Sequence, residues 1–135
     1  MLITELGYPT TEEEMKGRFY NVDQHPDYQT FVAVLDTEVV GIIGLIKNFF
    51  YEKNGTYIRI GALVVNLKFR NRQIGRQLIR KAEEWAIETG SEYIYLNSGN
   101  REERKDAHVF YQRMGFEART VGFVKLLKSS PSAPE

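Results

Sequence analysis

The sequence predicts an α+β domain, a mixed sheet with helices packed against it. Three observations point there. Two β-branched apolar runs, residues 30–35 and 39–49, flank a short polar turn. A third run, residues 55–65, passes directly into a segment whose apolar residues recur at helical spacing. A further strand-like segment and a further helical one then follow in alternation.

Each element has its own local cause. In Thr10-Thr11-Glu12-Glu13-Glu14, Thr11 can cap a helix and Glu14, three residues on, closes a capping box. That helix runs to about Asn21 with Met15, Phe19 and Val22 on one side, until His25-Pro26-Asp27 breaks the chain. Segments 30–35 and 39–49 make a hairpin around Asp36-Thr37-Glu38. The apolar run 60–65 closes the third strand at Asn66 and a basic loop. Ile74, Leu78, Ala82 and Trp85 share one helical face, and Gly90 stands where a C-cap belongs. Residues 92–97 read as a fourth strand. Ala107, Phe110, Tyr111 and Met114 follow the spacing i, i+3, i+4, i+7, and Gly115 ends that helix. Residues 116–120 and 122–127 read as a last pair of short strands. Residues 129–135, with Pro131 and Pro134, read as a disordered tail after a single domain of residues 1–128.

Composition narrows the function. With 135 residues, 42% of them hydrophobic, the chain can bury roughly two-thirds of its unfolded surface around one core. There is no cysteine, hence no disulfide, thiolate nucleophile or cysteine metal site. The two histidines, His25 and His108, lie far apart, so no metal centre is expected. No apolar run approaches the roughly 20 residues that span a bilayer, and no signal peptide opens the chain, so a cytoplasmic location without membrane contact is expected. The formal net charge is zero, which speaks against nucleic acid as a partner of the whole domain.

Charge becomes informative only locally. A helix favours acids in its first turn and bases in its last, because its N-terminus carries about half a positive charge. The first and last predicted helices obey this rule. The helix beginning near Arg72 reverses it: Arg70, Arg72 and Arg76 crowd its start, while Glu83, Glu84 and Glu88 lie toward its end. Each misplaced charge costs about 0.3–1 kcal/mol. An anion docked on the free backbone N–H groups and the arginines would offset that cost, and Gly75 would let a phosphate approach closely. A basic face in contact with water explains the charges equally well. The strand running straight into this loop favours the anion.

Residues 62–80 resemble the acetyl-CoA motif of the GNAT superfamily of N-acetyltransferases, R/Q-x-x-G-x-G/A. Arg70 stands at its first position, Gly75 at its last, and Gln73 in place of the middle glycine. Ala107-His108-Val109-Phe110-Tyr111-Gln112-Arg113-Met114-Gly115-Phe116 resembles the same family's A-x-x-F/L-Y-x-x-x-G-F, in the right order and separation. The resemblance covers residues 10–128 and implies a GNAT-like acyltransferase fold. It implies that backbone groups of Val64 and Val65 pair with the pantetheine arm and acetyl carbonyl, where their strand splays from segment 92–97. It further implies that Arg70, Asn71, Arg72, Gln73, Ile74, Gly75 and Arg76 hold the pyrophosphate. Tyr111 would be the acid that protonates departing CoA thiolate, and a tyrosine of ordinary pKa about 10 is protonated at neutral pH. Many relatives place asparagine where this chain has Arg104. Asn100 could substitute, or Arg104 could meet a CoA phosphate.

The chain also departs from the family. Relatives often carry a carboxylate shortly before the Val64-Val65 pair, whereas this chain has Arg59, Ile60, Gly61 and Ala62. The base that deprotonates the amine is left open among ordered water, Tyr57, Glu38 and His25. Residues 2–9 resemble the end of the family's first helix, so the first strand is absent and segment 30–35 becomes an exposed edge inviting a homodimer. Phe49, Phe50 and Tyr51 could line an amine pocket through cation–π contact or pack in the core. The leading expectation is acetyl transfer from acetyl-CoA to a primary amine of a small molecule or peptide. The alternatives are a non-catalytic CoA-binding or regulatory module, and an RNA-binding protein using the six basic residues between Lys68 and Lys81.

The reversed helix charges yield a test. Arg70→Glu with Arg72→Glu should leave the stability of the ligand-free protein unchanged or raise it by up to about 1 kcal/mol. The same pair should weaken CoA binding strongly, because charge-assisted contacts become like-charge repulsion. Melting curves of both proteins with and without CoA decide; a wild-type shift in the double mutant removes the anion site.

Overall fold

The computed structural model describes residues 12–69, 73–97 and 105–128. The elements follow the expected order: helix α1 (Glu12–Asp23), strands β1 (Tyr28–Leu35), β2 (Glu38–Phe49) and β3 (Thr56–Val65), helix α2 (Ile74–Glu88), strand β4 (Ile94–Leu96) and helix α3 (Lys105–Arg113). A 3₁₀ turn, Leu67–Phe69, leads out of β3. The chain divides into two units, residues 1–96 and 97–135.

In the first unit the strands form one sheet in the order β1-β2-β3-β4. The first two pairings are antiparallel, and β3 pairs β4 in parallel with α2 as the crossover. The hairpin turn is shorter than expected. Asp36 and Thr37 alone make it, at φ 49° and 67°, and Glu38 already pairs with Leu35. Two left-handed residues match the twist of the flanking strands. β1 is the outer strand of the described sheet, and its Val32 and Val34 are exposed.

The core lies between the sheet and α2. Ile43, Leu45 and Ile58 meet the helical stripe Ile74, Leu78, Ile79, Ala82 and Ala86, all buried. Ile79 and Ala86 extend the predicted stripe, and Trp85 is only half-buried. The closest approach is at Gly41, where a Cβ would meet Ile74 Cγ2 at 2.9 Å and Leu78 Cδ1 at 3.1 Å. The first turn of α2 therefore rests directly on the β2 backbone. At the other end, α2 closes in a Schellman motif: Ser91 N–H donates to Ala86 C=O (2.9 Å) and Gly90 N–H to Ile87 C=O (3.1 Å). Ser91 Oγ also lies 2.8 Å from the buried Thr56 Oγ1, giving that hydroxyl a partner.

Two further expectations change. The fourth strand shrinks from residues 92–97 to Ile94–Leu96, because its ladder with β3 ends at the pair Ile60 and Leu96. The last two strands do not form: residues 116–126 carry no ladder, and Val121, Phe123, Val124 and Leu127 are exposed. A two-stranded hairpin without a sheet to join is marginal in water, so β propensity alone does not hold it. In this second unit α3 ends at Gly115 (φ 95°), again in a Schellman motif. Phe116 N–H donates to Tyr111 C=O (3.0 Å) and Gly115 N–H to Gln112 C=O (3.1 Å). Thr11, segment 2–9 and the tail 129–135 lie outside the described residues. Among the described residues no helix is long and apolar enough to cross a membrane.

Gly41→Val should destabilise the fold by about 1–3 kcal/mol, the usual cost of overpacking a filled core. Urea titration reads the loss. A stability equal to wild type would mean that α2 can lift from β2 without penalty.

Candidate active site

The site is built from the end of β3 and the start of α2. Between β2 and β3 the register pairs Gly44 with Ala62 but Leu45 with Ile60, so Gly61 is one residue extra on β3. Such a bulge bends the strand and breaks pairing nearby. The parallel ladder with β4 stops one residue before it. From Ala62 to Val65 the strand keeps its ladder with β2, Val64 opposite Ile42 and Val65 opposite Gly41, while its other edge has passed the end of β4. The ladder with β4 thus ends where the splay was expected, next to the bulge.

Beyond Val65 the backbone turns at Asn66, whose Oδ1 accepts the Lys68 N–H (3.0 Å) and whose C=O accepts the Phe69 N–H (2.9 Å). Asn66 N–H donates to Val40 C=O (2.8 Å), tying this corner to β2. The chain then reaches Gln73, which caps α2 in the left-handed region at φ 65°, ψ 13°, with no side-chain cap bond. An N-cap ordinarily has extended dihedrals and a side-chain oxygen on the first free N–H groups. Here the Gln73 side chain makes no cap bond, and no acid stands in the first turn of α2. Neither is there a basic residue in its last turn. The reversed charge order is therefore a property of the folded helix, and a helix start of this kind suits an anion.

Gln73, Ile74, Gly75 and Arg76 thus gather at the α2 N-terminus, beyond the Val64-Val65 end of β3. Ile74 is buried and anchors the turn, while Arg76 is exposed. Arg70, Asn71, Arg72, Asn100 and Arg104 lie outside the described residues. Tyr111 belongs to the second unit. It is 9% exposed, and its ring meets Phe110 at 5.6 Å and Phe116 at 5.9 Å between centroids, both edge to face. Tyr111 and Phe116 occupy the two positions whose apolar contact accompanies a Schellman closure. The spacing Y-x-x-x-G-F is thus in part a helix-ending device.

The candidates for the base separate. Glu38 sits beside the hairpin turn, six residues along β2 from the Gly44 pairing, about 20 Å of strand. His25 Nδ1 accepts the Asp27 N–H (3.2 Å), and its ring packs edge-on against Tyr28 (5.0 Å). Tyr57 stacks on Tyr93 at 5.1 Å and leans on Phe50 at 5.0 Å. Two of the three aromatic faces considered for an amine carry cations of this chain, Lys53 Nζ 4.6 Å from the Phe50 ring and Lys47 Nζ 5.5 Å from Phe49, and Tyr51 is exposed. The hydrogen bond to Glu92 raises the Lys53 pKa above the ordinary lysine value. Sequence reasoning missed the bulge at Gly61, whose only signal is a glycine within a strand pattern. Among the described residues no group of three His, Cys, Asp or Glu is placed to hold a metal.

The Acetyltransferase (GNAT) family model matches residues 2–116. The chain is 35% identical over 127 residues to an aminoalkylphosphonate N-acetyltransferase of Salmonella typhimurium, covering 94% of this chain and 79% of that protein. It is 31% identical over 103 residues to an uncharacterized N-acetyltransferase of Bacillus subtilis, covering 76% and 70%. Among solved structures, a GNAT family acetyltransferase from Staphylococcus aureus superposes with a TM-score of 0.79 at 35% identity, covering 93% of this chain and 84% of that one.

The left-handed Gln73 carries a steric cost that glycine lacks, about 1–2 kcal/mol, partly offset by glycine's greater freedom when unfolded. Gln73→Gly should therefore stabilise the protein by about 1 kcal/mol in urea titration. A loss of stability would show that the Gln73 side chain supplies more than it costs.

Proposed function

The chain belongs to the Acetyltransferase (GNAT) family, and from that premise we propose that it moves an acetyl group from acetyl-CoA to a primary amine of a small molecule or peptide. The observation that carries this reading is the continuous path of β3 past the end of β4 into a helix start with no acid and no cap bond from the Gln73 side chain. A long, polar thioester with a pyrophosphate needs both parts of that path: a strand edge for its amides and an anion cradle for its phosphates.

The residues present fit acetyl-CoA, which when bound supplies the activated acetyl group. In this reading Val64 and Val65 offer backbone groups to the pantetheine arm. The N–H groups at the start of α2, with Arg70, Arg72 and Arg76, hold the pyrophosphate, and Asn71 and Gln73 complete the turn around it. Either Asn100 reaches the pantetheine or Arg104 meets a CoA phosphate. The amine nitrogen, freed of its proton, forms the N–C bond as the C–S bond breaks. Tyr111 holds the proton that the leaving sulfur requires, at a phenol that is neutral and protonated near pH 7. The name of the Salmonella relative, an aminoalkylphosphonate N-acetyltransferase, supports a small amine as acceptor.

Thiol release from acetyl-CoA in the presence of an amine panel tests the proposal, and its absence with every amine would leave a CoA-binding module. Tyr111→Phe keeps the ring that packs on Phe110 and Phe116 and removes only the hydroxyl. It should lower kcat by about 10²–10⁴-fold while CoA binding stays near wild type. An unchanged kcat would return Tyr111 to a packing role.

A further inference from the structure

The register places Tyr28, Ile46, Arg59 and Tyr95 in one row across the four strands. Paired residues share a face of the sheet, and alternate residues along a strand lie on opposite faces. Gly41 faces α2. Ile46, five residues on, therefore faces away, and Arg59 with it. Burial agrees: Ile58 and Ile60 are 0% and 7% exposed on the α2 side, while Arg59 between them is exposed. β3 lies between β2 and β4, so this guanidinium stands on an interior strand of the sheet, away from its rim.

Among the described residues no acid is paired with it. Its cross-strand neighbours are Ile46 and Tyr95, and the preceding residue on its own face is Tyr57. Among the described residues the Arg59 side chain makes no ion pair and no hydrogen bond. Two acids at this end of the sheet are engaged elsewhere, Asp27 with Lys47 (3.4 Å) and Glu92 with Lys53 (2.9 Å), and Glu52 stands in the β2–β3 turn beside Lys53. Two residues further along β3 is the bulge. A Cβ at Gly61 would lie 3.3 Å from Ile46 Cδ1, so the bulge opens onto the same face as Arg59. About 7 Å of strand separates the two positions.

We propose that Arg59 selects the acceptor by binding an oxyanion on it, so that the acceptor is a small amine carrying a carboxylate, phosphonate or phosphate a few bonds from its nitrogen. This rests on the acetyltransferase reading, which brings the acetyl group to the β3 bulge. A guanidinium presents a planar fork that matches such anions two oxygens at a time. Tyr57 and Tyr95 flank it with aromatic surface, beside which a short carbon chain can lie. The spacing to the bulge then sets the length between anion and amine.

Three acceptors of nearly one shape separate the possibilities: aminoethylphosphonate, β-alanine and ethanolamine, which carry a phosphonate, a carboxylate and a neutral hydroxyl beside the same amine. The wild-type protein should favour the two anions over ethanolamine in kcat/KM by about 10–100-fold, the usual weight of a charge-assisted contact. The ratio between phosphonate and carboxylate names the preferred source of the charge. Arg59→Gln should collapse the preference for anions mainly through KM, and Arg59→Lys should keep part of it. An equal rate on ethanolamine in the wild-type protein overturns the proposal while leaving acetyl transfer standing. So does an Arg59→Gln variant that loses activity by the same factor on all three. If no amine releases thiol at all, the acetyltransferase reading falls and the role of Arg59 falls with it.

Discussion

Most of the site's architecture traces back to one residue without a cross-strand partner. The extra residue Gly61 lets β3 keep its ladder with β2 on one side while its ladder with β4 stops on the other. An uninterrupted strand would carry the parallel pairing onward, and the sheet edge between Ala62 and Val65 would be closed by main-chain bonds. The bulge therefore leaves β4 short, opens the edge, and lies on the face that carries Arg59. Glycine suits the position because its Cβ would crowd Ile46 Cδ1 at 3.3 Å.

The start of α2 shows a second constraint, a conflict between stability and binding. Gln73 occupies a left-handed conformation, makes no side-chain cap bond, and precedes a first turn with Arg76 and no acid. Each feature costs the ligand-free protein about 0.3–2 kcal/mol, and glycine would relieve the first of them. What holds the turn is packing: Ile74 and Leu78 lie on Gly41, and Asn66 is tied to Val40. Strain of this kind persists where surrounding structure over-determines it, and it concentrates at ligand sites.

Tyr111 shows how a side chain proposed for chemistry can also serve packing. Its ring completes the Schellman closure of α3 with Phe116, which accounts for the glycine and the aromatic that follow it at fixed spacing. A motif read from the sequence as a catalytic signature is at the same time a way to end a helix. The proposed proton transfer resides at the hydroxyl.

Local pattern in the sequence determined the kinds and order of the elements, the hairpin, the stripe Ile74, Leu78 and Ala82, and the reversed charges of α2. These follow from periodicity, propensity and charge within a few neighbouring residues. It also misled: residues 116–127 have the composition of strands and form none, because a strand exists only where another edge accepts it. The bulge at Gly61, the early end of β4, the left-handed Gln73 and the face shared by Arg59 with Tyr28 and Tyr95 were decided by the tertiary structure alone. Register is set by segments distant in sequence, and a one-residue shift moves every side chain to the other face. Arg59 read along the chain is merely a missing carboxylate; only the pairing of four strands reveals it as a cation beside the place where the sheet opens.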